Sequence, residues 1–295
     1  MELFLISPKE LFSKKQVEIL SNHFSSMKFI NYKDIENYNY GEEEKALLLD
    51  PDYFDWKLPK NFFNKIKNLK FVCLTTTTAS YVDEDYLNEN NIKLLTIPKY
   101  STDSVAEYLI FLMFCLAKKL PLQLKNDNRQ EFTDKYLQME LTGKTVGIVG
   151  LGNIGNRVCQ ICDGMGMNVQ YLNRTKKDAK FKSVSLERLF KNSDVIFITL
   201  ANNSATRELI TDELLNSMKK TAILISNTGI VLHNDNLVRN KLKKGKLFGF
   251  GAELPYGTYE EYDGNVMITS EYAWFTKEAT QRRIEILMKN LLSIK

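Results

Sequence analysis

Short runs of apolar residues alternate along the chain with longer segments in which apolar residues recur at helical spacing. Short runs rich in β-branched and aromatic residues are typical of buried strands, and the longer segments are typical of amphipathic helices. Strands that alternate with helices predict βαβ units, and therefore an α/β fold with parallel sheets. The predicted strands are Leu3–Ile6, Ala46–Leu49, Phe71–Leu74, Lys93–Leu95, Thr145–Val149, Asn168–Leu172, Val195–Thr199, Ala222–Ile225, Leu247–Ala252 and Val266–Thr269.

The predicted strands form two groups that meet near residue 100. A chain of 295 residues exceeds the usual size of one domain. We therefore expect two Rossmann-like or flavodoxin-like domains with a cleft between them. The last predicted helix, Lys277–Leu292, is expected to pack back on the first domain. The predicted domains are residues 1–98 with 276–295 and residues 99–275.

One predicted helix, Val105–Leu120, is apolar on nearly all sides. Such a helix is expected to be buried on most of its circumference, either between domains or against another subunit. We expect a homodimer that uses it.

Charge and cysteine content narrow the expected environment. The 40 Lys and Arg and 36 Asp and Glu give a net charge of +4, spread along the chain, which argues against nucleic acid or membrane partners. The four cysteines lie in apolar segments, and the Cys159-x-x-Cys162 pair lacks a second ligand pair, so buried packing is favoured over a metal site. The apolar run Leu3–Ile6 is too short for a signal sequence. A cytoplasmic protein without a metal is expected.

A glycine-rich turn is the clearest chemical motif. It follows the predicted strand Thr145–Val149 directly and precedes the helical segment Asn156–Cys162. Between a strand and a helix, such glycines allow a tight turn, close approach of a pyrophosphate and close packing, and the helix amino terminus adds positive potential. The predicted cofactor-binding residues here are Gly150, Gly152, Asn153, Ile154 and Gly155.

The end of the next predicted strand indicates which dinucleotide is bound. NAD-binding sites usually place an acidic residue there for the ribose 2′-hydroxyl, but this chain has Asn173, Arg174, Thr175 and Lys176. A guanidinium can bind a phosphate through two hydrogen bonds and can stack on adenine. We therefore predict that these four residues bind NADP in preference to NAD.

Two motifs together resemble the D-isomer-specific 2-hydroxyacid dehydrogenases. Ser101–Glu107, after Ile97-Pro98, resembles the link between that family's two domains, and Leu141–Gly155 resembles its cofactor signature. The resemblance extends over nearly the whole chain. It implies further cofactor contacts from Leu200, Thr206 and Asn227, and a hydride transfer between a nicotinamide and a 2-oxo or 2-hydroxy acid.

The same resemblance implies a substrate loop at Thr75–Ala79, with Thr76, Thr77 and Thr78 as the residues that contact substrate. Threonine hydroxyls and backbone N–H groups could bind a ligand oxygen. A run of β-branched residues is also typical of a strand end, so both interpretations stay open.

The catalytic positions depart from the family pattern. Thr228 stands where the family has its substrate-binding arginine, and Glu271 stands where it has its histidine. We expect Thr228 and Glu271 to be the catalytic residues, with burial beside the nicotinamide raising the pKa of Glu271. His23 is expected to lie at the surface or to pack, and His233 is expected to cap a helix or lie at the surface rather than to transfer a proton.

Three functions are compatible with this pattern. The first is an NADP-dependent 2-hydroxyacid dehydrogenase or reductase with altered proton chemistry. The second is a catalytically silent NADP-binding regulatory protein, because a fold persists more readily than a site. The third is reduction of a different group, such as an imine, since the family's carboxylate anchor is missing. In each case the partner is a small molecule.

Overall fold

The computed structural model describes residues 1–126, 129–175, 180–203, 205–254 and 262–295. These residues form two compact units, one made of Met1–Ser101 with Lys277–Lys295 and one made of Thr102–Thr276. The sequence analysis placed the corresponding boundaries after residues 98 and 275.

The first unit contains a five-stranded parallel sheet with the order β2-β1-β3-β4-β5. This is the order of flavodoxin-like sheets. Helix α9 contacts α1 and β4, which places the end of the chain in this unit. The elements are β1 (Glu2–Ile6), α1 (Lys14–His23), β2 (Ser26–Phe29), β3 (Lys45–Leu49), β4 (Leu69–Leu74), α2 (Glu84–Glu89), β5 (Lys93–Leu95) and α9 (Lys277–Leu292).

The second unit contains a seven-stranded parallel sheet with the order β12-β11-β10-β9-β6-β7-β8. Its strands are β6 (Thr145–Val149), β7 (Asn168–Leu172), β8 (Lys182–Ser183), β9 (Val195–Ile198), β10 (Ile223–Ser226), β11 (Gly249–Leu254) and β12 (Val266–Ser270). Its helices are α3 (Thr102–Ala117), α4 (Leu120–Lys125), α5 (Asn153–Gly164), α6 (Leu186–Asn192), α7 (Asp212–Ser217) and α8 (Asp235–Lys243).

The strand order of the second unit reverses direction at β6, which pairs with β7 on one side and with β9 on the other. This is the doubly wound arrangement, in which ligands bind beside the carboxyl ends of the strands at the reversal point. Alternate residues of β9 face different cores: Val195 and Phe197 pack with α3 and α5, while Ile196 and Ile198 pack with α6, α7 and α8. Helices therefore cover both faces of this sheet, and the prediction of parallel α/β sheets is confirmed.

Two short strands were not predicted from the sequence. Strand β2 has only half-buried or exposed residues, and β8 is two exposed residues long. Both lie at sheet edges, where an apolar run is not required because only one neighbouring strand and little core contact them.

Helix α3 explains the uniformly apolar segment seen in the sequence. It begins at Thr102 and ends at Ala117, and most of its side chains are buried against α5, β10 and β11 of its own unit. The apolar character therefore comes mainly from packing inside the second unit. Phe111 and Phe114 are the exceptions, with 47% and 42% of their surface exposed.

None of the helices in the described ranges is both long and apolar enough to span a bilayer.

Candidate active site

The glycine-rich turn links β6 to α5 at the reversal point of the second sheet. Gly150 has a φ of +100°, a value that L side chains rarely adopt. A Cβ at Gly155 would lie 2.1 Å from the Gly150 carbonyl oxygen, so helix and turn pack too closely for any side chain. A Cβ at Gly152 would meet no atom within 4 Å. The first and third glycines are thus required by the fold, whereas the second leaves an open approach to the amino terminus of α5.

Thr199, directly after the neighbouring strand β9, is hydrogen-bonded to this turn. Its hydroxyl donates to the Gly150 carbonyl oxygen at 2.7 Å. Leu200 follows, and its Cδ2 atom would lie 2.9 Å from a Cβ at Gly150. Leu200 was expected from the sequence to contact the cofactor, whereas Thr199 was not identified. Two adjacent hydroxyl and apolar residues at a strand end carry no distinctive sequence signal.

Asn173 occupies the corner at the end of β7. Its Oδ1 atom accepts a hydrogen bond from the Leu151 N–H at 3.0 Å, and its Nδ2 atom donates to the Thr175 carbonyl oxygen at 2.8 Å. The amide therefore ties the corner to the glycine turn and brings no negative charge. Arg174 and Thr175 are exposed beside it, and Lys176 lies outside the described residues. This donor set fits a ligand that carries a phosphate at the corner.

Two other predicted cofactor residues lie at the carboxyl ends of neighbouring strands. The Asn227 N–H donates to the Ile198 carbonyl oxygen at 2.9 Å, so this residue directly follows β10 next to β9. The Thr206 hydroxyl donates to the Ala201 carbonyl oxygen at 2.6 Å and accepts from the Asn203 N–H at 3.0 Å. Thr206 thus closes its own loop, while Asn227 lies on the edge that carries the glycine turn.

Thr228 and Gly229 follow at the end of β10. The Thr228 hydroxyl lies 3.5 Å from the Ser226 hydroxyl, and its residue is half-buried. A Cβ at Gly229 would lie 2.9 Å from the Glu253 carbonyl oxygen. The position that matches the family's arginine therefore lies beside the end of β11.

Glu253, near the end of β11, was missed by the sequence analysis. It is only 7% exposed, and its Oε1 atom accepts a hydrogen bond from the Ala273 N–H at 2.7 Å. Its pKa is raised to about 7: burial is the main cause and the nearby charge of Glu271 acts in the same direction, while the N–H groups of Ala273 and Tyr272 act in the opposite one. A single glutamate inside an otherwise apolar strand was the available signal.

The burial expected for Glu271 is not found. Glu271 follows β12 and is exposed, as is Tyr272 with 65% of its surface accessible. The polypeptide turns outward here, and the backbone of the next residues, rather than a side chain, contacts the buried Glu253. The carboxyl group that burial perturbs in this region is Glu253.

His233 does not cap a helix and its ring nitrogens are buried, which corrects the expectation for this residue. Asn234 caps α8, with its side chain accepting from the Leu237 N–H at 3.2 Å. Both ring nitrogens of His233 are buried without a hydrogen-bond partner in the described part of the chain, although part of the residue remains accessible. The ring packs edge-on against Phe250 at 5.5 Å, and burial lowers its pKa to about 4. His233 is therefore neutral at physiological pH.

In the first unit, the threonine run is a loop after β4 rather than a continuation of the strand. Its hydroxyls are used within the protein: Thr76 donates to the Thr78 carbonyl oxygen at 2.8 Å, and Thr77 donates to the Ile97 carbonyl oxygen at 2.9 Å. The Thr78 hydroxyl accepts from the Ser80 N–H at 3.3 Å. The backbone N–H groups of residues 76, 77 and 78 donate to no other residue that the structure describes. These three N–H groups are the donors that the loop can offer.

A buried ion pair holds this loop through hydrogen bonds to Thr75. Arg283 of α9 contacts Asp50 at 3.1 Å, and its Nε atom donates to the Thr75 carbonyl oxygen at 3.0 Å. The Thr75 hydroxyl also donates to Asp50, at 3.0 Å. Burial raises the pKa of Asp50, although Arg283 acts in the opposite direction. The sequence analysis missed this pair because its members are far apart in the chain.

Comparison with known proteins decides the family. Residues 110–255 match the sequence model of the family "D-isomer specific 2-hydroxyacid dehydrogenase, NAD binding domain". These residues include the glycine turn and strands β9 to β11. The chain belongs to the D-isomer specific 2-hydroxyacid dehydrogenases. As a member of this family it is a nucleotide-binding oxidoreductase with a nicotinamide cofactor.

Two curated members of the family are similar over most of their length. The hydroxypyruvate reductase of Blautia hydrogenotrophica is 28% identical over 253 residues, which cover 79% of this chain and 78% of that protein. The glyoxylate reductase of Pyrococcus furiosus is 27% identical over 258 residues, covering 81% and 76%.

Solved structures of the family show the same fold. An acyclic imino acid reductase, Bsp5, in complex with NADPH and D-Arg superposes with a TM-score of 0.83 at 25% identity and covers 99% of this chain and 96% of its own. A glyoxylate reductase from Paecilomyes thermophila gives a TM-score of 0.86 at 21% identity, with 99% and 94% covered, and supports the fold alone.

Proposed function

We propose that this 2-hydroxyacid dehydrogenase family member is an NADP-dependent reductase that converts a 2-oxo acid to a 2-hydroxy acid. The observation that carries the proposal is the corner beside the glycine turn, where Asn173 is neutral and hydrogen-bonded to the protein and Arg174 is exposed. A carboxylate at this corner would repel a 2′-phosphate, whereas a guanidinium attracts it. The NADPH in the similar imino acid reductase supports the same choice.

The dinucleotide, when bound, supplies the hydride. The open side of Gly152 and the first turn of α5 hold the pyrophosphate, because N–H groups without intrahelical acceptors point from a helix amino terminus. Arg174 and Thr175 hold the 2′-phosphate, and Lys176 adds positive charge. Leu200 and Asn227 contact the dinucleotide from the ends of β9 and β10.

The substrate carboxylate is held by the N–H groups of Thr76, Thr77 and Thr78. Neutral peptide donors take the part of the missing arginine, as in backbone anion sites elsewhere. The buried Asp50–Arg283 pair keeps the loop in place through Thr75. The Thr228 hydroxyl donates to the carbonyl oxygen of the substrate.

Glu271 supplies or removes the proton, and Glu253 positions Glu271. Glu253 accepts from the backbone of Ala273 and Tyr272, so it fixes the chain directly after Glu271. Ligands that cover the exposed Glu271 would favour the protonated form of its carboxyl group, which is the form that a general acid needs.

Substitution of Glu271 by Gln tests this assignment. We expect Glu271→Gln to lower kcat by about 10²–10⁴-fold, the usual contribution of a general acid, with the Kd for NADPH unchanged. Glu278→Gln, at another exposed glutamate, is the control and should keep full activity. Retention of wild-type turnover by Glu271→Gln would remove Glu271 from the mechanism.

Imine reduction is the second candidate function. It is favoured by the imino acid reductase, which is among the similar structures, and by Thr228, because an imine substrate depends less on an arginine that polarises a carbonyl oxygen. NADPH oxidation measured on one 2-oxo acid with and without added methylamine separates the two. Turnover only with the amine indicates an imine, and tight NADPH binding without any turnover indicates the catalytically silent regulatory protein.

A cytoplasmic homodimer is the assembly we propose. The exposed residues of α3 recur at positions 103, 107, 111 and 114, and the exposed Lys118 directly after the helix continues the same stripe. Phe111 and Phe114 lie in its middle, and Phe132 and Leu137 of the same unit are 93% and 68% exposed. Apolar residues grouped in this way favour burial in an interface. Four free buried thiols support a reducing compartment.

A further inference from the structure

An exposed tryptophan lies near the threonine loop in the first unit. Trp56 follows β3, and 44% of its surface is accessible. A large indole left in water forgoes the favourable free energy of burying its apolar surface. The aromatic residues Phe54 and Phe62 belong to the buried core of this unit, whereas the Trp56 ring lies outside that cluster.

The backbone around this residue is held in an unfavourable conformation. Asp55 and Trp56 have φ values of 49° and 58°, two consecutive non-glycine residues in the left-handed region. The Trp56 N–H donates to the Pro51 carbonyl oxygen at 3.0 Å, and the Lys57 N–H donates to Phe54 at 3.0 Å. Strain of this kind persists where the surrounding structure enforces it, and it is concentrated at ligand sites.

The indole itself is fixed at two points. Its Nε1–H donates to the Asp52 carboxylate at 3.1 Å, and its ring packs edge-on against Tyr81 with centroids 5.2 Å apart. The Tyr81 hydroxyl lies 3.0 Å from the Thr76 hydroxyl. A single side chain, Tyr81, therefore connects the indole to the loop whose N–H groups are free.

We propose that Trp56 is a specificity-determining residue, whose indole contacts the side chain of a 2-oxo acid held at Thr76–Thr78 and selects aromatic substrates over small ones. This inference rests on the proposed function. A rigid ring that is accessible on one side and fixed on the other loses little conformational entropy on binding. A flat, apolar substituent gains from stacking on it, whereas glyoxylate has no side chain to offer.

The test compares phenylpyruvate with glyoxylate in the wild type, Trp56→Ala and Trp56→Phe. We expect the wild type to prefer phenylpyruvate at least 10-fold in kcat/KM. Trp56→Ala should lose about 10–100-fold on phenylpyruvate and less than 3-fold on glyoxylate, since a stacked aromatic pair and its buried area are lost. Trp56→Phe should recover most of the loss. Ile19→Ala, which removes another exposed apolar side chain of this unit, should change neither substrate.

A preference for glyoxylate, or an equal loss on both substrates in Trp56→Ala, would overturn the inference. If no 2-oxo acid is reduced, calorimetry with phenylpyruvate in the presence of NADPH separates the two proposals. Binding that Trp56→Ala weakens supports the aromatic contact while the reductase proposal fails. Absence of phenylpyruvate binding to the wild type overturns the role of Trp56.

Discussion

At the residue scale, burial decides the chemistry of the titratable groups, and sequence alone shows little of it. Glu271 was expected to be buried and is exposed, whereas Glu253 is buried with a pKa raised to about 7. His233 was expected at the surface or as a cap, and its ring nitrogens are buried. Each error has the same cause: the local pattern indicates the element on which a residue lies but not the depth of its polar atoms.

The buried His233 makes stability depend on pH. Its pKa is about 4 in the folded protein against an ordinary value of 6.5, so between these values the unfolded chain binds a proton that the folded protein does not bind. Stability is therefore lost as pH falls from 6.5 to 4, by up to about 3 kcal/mol, at 1.36 kcal/mol per pKa unit. The free energy of unfolding of the wild type minus that of His233→Phe should decrease over this range.

The comparison with His233→Phe matters because Glu253 has the opposite effect. Its pKa of about 7 in the folded protein exceeds the ordinary glutamate value of 4.5, so its contribution to stability falls as pH rises between these values. Because Glu253 is present in both proteins, its contribution cancels in the difference between their free energies of unfolding. A difference that does not vary between pH 7 and pH 4 would contradict the burial of the His233 nitrogens.

At the element scale, the strand–turn–helix at residues 145–164 was predicted from sequence and places its glycines as expected. Glycines are informative because steric demands at a tight turn leave no substitute. Strands β2 and β8 were not predicted, because edge strands need no apolar run. The hydrogen bond from Thr199 to Gly150 and the Asp50–Arg283 pair could not be predicted either, since they join residues that only the folded topology brings together.

Three alanine substitutions distinguish glycines of α5 and its preceding turn that are needed for stability from those that are needed for NADPH binding. Gly155→Ala places a Cβ 2.1 Å from the Gly150 carbonyl oxygen, so we expect a loss of about 1–3 kcal/mol in stability and weaker NADPH binding. Gly152→Ala meets no protein atom within 4 Å, so stability should hold while the Kd for NADPH rises at least 10-fold. Gly164→Ala, also without contacts, is the control for both measurements. Equal NADPH affinity in all three would exclude this turn as the pyrophosphate site.

At the scale of the whole molecule, the chain forms two α/β units, each with a parallel sheet, and its last helix belongs to the first unit. The α/β class followed from the alternation of apolar runs and helical segments. The extent of the hydrophobic core in the first unit could not be predicted in this way, because much of this core consists of aromatic residues from irregular segments, such as Phe54 and Tyr40. The proposed homodimer belongs to this scale too, since it would form through the stripe on α3.

Disruption of that stripe tests the homodimer. We expect the wild type to sediment as a dimer at micromolar concentration, and Phe111→Gln combined with Phe114→Gln to sediment as a monomer, because two exposed apolar rings would leave the interface. Ile19→Gln, on α1 of the other unit, should stay dimeric. A monomeric wild type, or a double variant that remains a dimer, would contradict the proposed interface.

Titration with NADPH and NADH, followed by nicotinamide fluorescence, tests the central claim most directly. We expect NADPH to bind at least 10-fold more tightly than NADH, and Arg174→Ala to remove most of this difference by weakening NADPH binding alone, since a guanidinium–phosphate pair is lost. Equal affinity for the two dinucleotides in the wild type would contradict the assignment of residues 173–176, and binding of neither would contradict the cofactor site itself.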